Sequence, residues 1–173
     1  MKVRLLIFGV LLGLGCTEKL EWEQRSVPTL KLNLMSPCPF RQHATSKAKA
    51  GATIREFLAG CGPTAVMAAE AKYPHSEQPV DEEATRGLIM DMFVTRSGIT
   101  GCERTAFRLG DHLGAEYTCS VSQEMAKREL AVDRGGTVVI RFITLGAEER
   151  SLIWYGVGLP DVAHRVVESA RLE

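Results

Sequence analysis

One short run constrains this chain more than any other: Gly60-Cys61-Gly62-Pro63-Thr64-Ala65-Val66-Met67. Two glycines flank a cysteine and let the backbone turn sharply. Pro63 suits the first turn of a helix, and the alanine-rich stretch that follows predicts a helix over 64–72. Cys61 is then expected at a helix N-terminus, where free N–H groups and the positive dipole end favour thiolate over thiol. The same N–H groups suit an oxyanion. A nucleophile is the functional reading. A small buried cysteine ahead of an ordinary helix is the structural one.

The 173 residues suffice for one domain of ordinary size. Apolar residues are 45% and charged residues 24%, which excludes a disordered tail, a collagen and a multi-span membrane protein. Lys+Arg and Asp+Glu are 21 each, so no basic excess exists to neutralise a nucleic-acid backbone.

Lys2 and Arg4 precede an apolar core, Leu5 to Leu14, that ends at Gly15-Cys16 and polar Thr17-Glu18-Lys19. This is the pattern of an export signal over 1–15, with a polar tether over 16–28 and the folded domain over 29–173. The run is too short to span a bilayer comfortably as a helix. Leu12-Gly13-Leu14-Gly15-Cys16 also resembles a bacterial lipoprotein signal, with lipid on Cys16 as the membrane link; ordinary secretion is the alternative. Export permits disulfides, and two of Cys38, Cys102 and Cys119 are candidates to pair. No C-x-x-C spacing points to structural metal.

Leu30, Leu32 and Leu34 alternate with polar residues as a short strand, and Arg41 to Gly51 reads as a surface loop. Further helices are expected over 81–93, 103–113 and 121–130. Ser120 and Gln123 suggest a capping box for the last of these. Thr137 to Ile143 is β-branched and reads as a central strand, Leu152 to Gly158 as a second, and Ala163 to Ala170 as a third. Helices first and strands later predict an α+β domain.

The Gly-Cys-Gly-Pro-Thr-Ala run resembles the papain-fold cysteine peptidases related to the bacteriocin-processing (double-glycine-leader) family. There a Cys-Gly-Pro-Thr/Ser run opens the catalytic helix. Asp81–Phe93, Ser97-Gly98-Ile99-Thr100, Glu103–Gly110, Val121–Leu130 and Gly135–Ile140 follow in the family's order. The resemblance implies a papain-like fold, with N-terminal helices packed on a C-terminal antiparallel sheet that is shorter at its end than in the family.

It also implies roles. Cys61 would attack a peptide carbonyl. His164, in His164-Arg165-Val166-Val167, would take and return the proton, in preference to His43, His75 and His112. Arg55 stands where the family's short spacing places an oxyanion glutamine, so the long spacing assigns that role to Gln42, whose other reading is a solvated loop residue. No Asp or Asn follows His164, so the resemblance leaves three readings: a Cys–His dyad, Asp161 or Glu168 orienting the imidazole, or a truncated or degenerate member with little activity.

The expected function is an exported cysteine peptidase acting on a peptide or protein substrate through an acyl-enzyme, with no metal or organic cofactor. The alternative is a papain-like scaffold of little or no activity, serving as an exported binding or structural lipoprotein. A zinc protein using Cys38, His43 and Cys61 ranks last.

Overall fold

The structure, a computed structural model, describes residues 21–47, 51–61, 64–75, 83, 87, 99–124 and 136–173. The signal segment and Cys16 lie outside the described residues. Among those described, ten strands and one complete helix form two antiparallel sheets. The papain-like α+β expectation is therefore overturned: the architecture is mostly β, and its complete helix follows the main sheet in the chain instead of preceding it.

β1 (Glu23–Val27) and β2 (Leu32–Ser36) form a hairpin, joined by the short β10 (Arg171–Leu172). β1 lies within the segment expected as a tether. The larger sheet runs β3 (Arg41–Lys47), β4 (Thr53–Cys61), β5 (Thr64–Lys72), β9 (Arg150–Gly158), β8 (Gly136–Leu145), β7 (His112–Val121) and β6 (Thr100–Leu109). Two meanders, β3-β4-β5 and β6-β7-β8, thus meet at β9. The helix α1 (Pro160–Glu168) crosses back over one face.

The largest correction falls on 64–72, a strand and not a helix. Alanine favours helix locally, but every residue from Ala65 to Ala71 is buried. Val66 and Ala68 face one core, and Ala65, Met67, Ala69 and Ala71 the other. A strand covered on both faces has no polar side to show. The expected helix over 103–113 is instead β6 and the start of β7, and the loop over 41–51 contains β3. The expected strand over 163–170 lies mostly in α1. Glu83 and Gly87 are helical, as are Gln123 and Glu124; of the helix expected over 121–130, Val121 instead ends β7 and Ser122 is not helical, and the rest of both expected helices lies outside the described residues. The strands expected over 137–143 and 152–158 are present as β8 and β9.

Alternation sorts the central strands into two cores. Val139, Ile143, Leu152 and Trp154 face α1 and the three-stranded sheet; Ile140, Phe142, Ile153 and Tyr155 face the other way. α1 starts at Pro160, and its Ala163, Val166 and Val167 are buried at helical spacing. Its C-terminal carbonyls are not orphaned. Val167 O accepts from the Trp154 indole at 3.1 Å and from Arg141 at 3.2 Å. Ser169 bonds back to Val166 O at 2.6 Å and receives the Met35 N–H at 2.7 Å, tying the helix end to β2.

Glu70 pins three strands. It is 4% exposed, and it accepts from Arg55 of β4 at 3.0 Å and from Arg150 of β9 at 3.1 Å. A register slip would strand this carboxylate in the sheet without its partners, which is costly. Cys102 and Cys119 form a disulfide across β6 and β7, which settles one pairing the sequence left open.

Two substitutions test the packing. A Cβ on Gly156 would stand 2.9 Å from both Ala163 O and Val166 Cβ, so β9 carries α1 in direct contact there. Gly156→Ala is expected to destabilise by about 2 kcal/mol in chemical denaturation. The Tyr117 hydroxyl is buried without a hydrogen-bond partner among the described residues, and its ring stacks on Phe142. Tyr117→Phe keeps the ring and removes the orphan, so stability should rise by about 1 kcal/mol in the same measurement.

Candidate functional site

Cys61 is the last residue of β4 and pairs with Thr64 of β5. No helix begins at Thr64, so the dipole expected to favour a thiolate is not there. His164 sits half-buried on α1, not at the head of a late strand. Asp161 and Glu168 share that helix, and neither bonds to His164 in the structure. Gln42 is on the edge strand β3, exposed, with its Nε2 donating to Thr45 Oγ1 at 3.0 Å. The three residues thus lie on a strand end, a helix and a sheet edge.

The other histidines divide. His75 is exposed and pairs with Glu149. His112 opens β7 and does not close a helix; it lines a small cavity of about 160 Å³ with Lys31, Glu148 and Arg150. His43 is the informative one, because it shares a groove with Gln42.

That groove, about 520 Å³, lies where the chain enters β3 and runs past the end of β4. Arg41, Gln42 and His43 supply its polar lining; Cys38, Pro39, Leu58 and Gly60 complete it. Three consecutive residues on a regular strand would alternate between faces. Here the register passes from Gln42–Phe57 to Ala44–Glu56 and leaves His43 as an extra residue, a β-bulge. A bulge bends the strand and re-aims side chains, which lets neighbours share one groove. Arg41 pairs with Leu58, and Gly60 lies two residues further along the same face of β4. A Cβ on Gly60 would meet only Leu58, at 4.0 Å, so the missing side chain leaves this end open.

The entry to β3 is held from below. The buried Ser36 hydroxyl donates to Cys38 O at 2.6 Å and accepts the Cys38 N–H at 3.3 Å. Phe40 is buried between the exposed Pro39 and Arg41. Cys38 itself is disulfide-bonded, so it has no thiolate to offer a metal in this state. No group of three metal-ligating side chains occurs among the described residues.

Among the described residues the arginines divide, and Arg41 falls with Arg108 and Arg165 in having no side-chain partner. Arg25, Arg55, Arg141 and Arg150 each pair with a carboxylate. The side chains of Arg41 and His43, both exposed, make no hydrogen bond or ion pair among the described residues. No acidic residue is among the described residues that line the groove. Tyr155, by contrast, is fully buried; burial first, and then the Glu56 carboxylate, pushes its phenol far up, so it stays neutral.

Arg41 was not singled out from the sequence, and His43 was kept only as a zinc ligand, although a signal for a basic site existed. From Ser36 to Arg55 the chain carries Arg41, Lys47, Lys49 and Arg55 and no Asp or Glu. No family model, curated protein or solved structure matches this chain.

Proposed function

We propose that this chain is an exported β-sheet module that works by binding, with the groove beside β3 as its site. The observation that carries this reading is the convergence of Arg41, Gln42 and His43 on one open groove through the bulge at His43. Its volume falls within the range of small-ligand pockets, roughly 300–1,000 Å³. The Cys102–Cys119 disulfide agrees with export to an oxidising compartment. A lipid on Cys16 would tether the module to a membrane surface.

Peptide hydrolysis at Cys61 finds less support. The residue ends a strand within a hairpin, His164 does not line the groove, and the chain after Cys61 offers no helix dipole. Cysteine arithmetic adds to this. Cys102 and Cys119 pair with each other and Cys38 is disulfide-bonded, which leaves Cys16 and Cys61 as its candidate partners within the chain. A lipidated Cys16 has no thiol to give. Counting back from the Arg41–Leu58 pair in the antiparallel register also runs from residue 38 to residue 61.

Iodoacetamide alkylation across pH, read at each cysteine by mass spectrometry on unreduced protein, tests the choice. Cys61 should stay unlabelled from pH 6 to about pH 8.5 and become reactive only after reduction. Rapid labelling at pH 6 that disappears in His164→Ala would restore the thiolate–imidazolium pair and overturn the binding reading.

A further inference from the structure

We infer that the β3 groove takes a small organic anion, its oxyanion head on Arg41 and its apolar body along Pro39 and Leu58. This rests on the binding function proposed above and names its ligand class.

The argument starts from the charge left over in the sheet. A guanidinium presents a planar fork of donors that matches a carboxylate or phosphate in two parallel bonds. Four arginines of this fold spend that capacity on Glu23, Glu70, Glu116 and Glu148. Arg41 does not, although it stands in a groove and could have been given a partner by any acid on β4. The nearest carboxylate along that strand, Glu56, is set against Ala44 on the far side of the bulge. His43 and the Gln42 amide add polar groups to the lining, and no carboxylate is among the described residues there.

The apolar part of the lining sets the rest of the ligand. Pro39, Leu58 and the bare backbone of Gly60 offer apolar contact and room, so a bare inorganic ion would leave them unused. An oxyanion carried on a compact apolar body uses both the polar and the apolar lining. The bulge and the flanking charges Arg41 and Lys47 also interrupt the free edge of β3, which disfavours extension of the sheet by a second polypeptide.

The test is an NMR titration of the ¹⁵N-labelled full chain at constant ionic strength with benzoate, phenyl phosphate, inorganic phosphate and benzamide. Benzoate and phenyl phosphate should shift the amides of Arg41, Leu58 and Gly60 saturably, and the tighter of the two identifies the head group. Inorganic phosphate should act on the same amides more weakly, and benzamide should not saturate. Arg41→Gln, an exposed position that leaves the core intact, should weaken benzoate at least about tenfold. Gly60→Leu should block the groove with the charge unchanged. Benzamide binding as tightly as benzoate, with Arg41→Gln silent, would overturn the anion assignment and leave the binding function standing. No saturable shift from any of the four probes would overturn both.

Discussion

β9 lies between β5 and β8 with its backbone paired on both sides, from Ala65–Val157 to Lys72–Arg150 on one and from Thr137–Gly158 to Leu145–Arg150 on the other. It alone joins the two meanders into one sheet. Its side chains then serve two cores, Trp154 towards α1 and Ile153 and Tyr155 away from it. Gly156 lets the helix rest on the strand, and the Trp154 indole holds the helix end. A buried strand must satisfy its polar backbone within the sheet, so β5 has no freedom to be anything but β9's neighbour. Glu70, held by an arginine from each neighbouring strand, fixes which residues meet.

That constraint explains what the sequence disclosed and what it concealed. Thr137 to Ile143 and Leu152 to Gly158 are continuous apolar runs rich in β-branched and aromatic residues, and they became the central strands. Thr64 to Lys72 has the same two-sided burial but builds it from alanine, whose local preference is helical. Tertiary pairing overrode that preference, and no pattern within the nine residues announces it. The third-strand reading of residues 163–170 missed a signal that was present. Ala163, Val166, Val167 and Ala170 fall at helical spacing just after Pro160-Asp161.

The candidate site was half legible. Gln42 was noticed as an oxyanion donor and the neighbouring His43 as a zinc ligand, and the groove they line came from a bulge, which depends on cross-strand register and not on local sequence. Cys61 drew attention because glycines and a proline flank it. Residue types that can open a helix are also common in turns, and Cys61 and Thr64 pair as the ends of β4 and β5. The helix dipole expected to favour a thiolate at Cys61 is therefore missing. What the fold offers in its place is an unpaired arginine beside an open groove, next to a disulfide-bonded cysteine.

The pairing of β5 with both β4 and β9 is the claim on which the rest stands. NOE spectroscopy of the labelled chain reads it directly. Cross-strand Hα–Hα contacts from residues 64–72 to both 53–61 and 150–157 are the expected result. Contacts between residues three apart along 64–72, without those to the neighbouring strands, would show a helix there. They would contradict the sheet, the groove built on its edge and the function drawn from it.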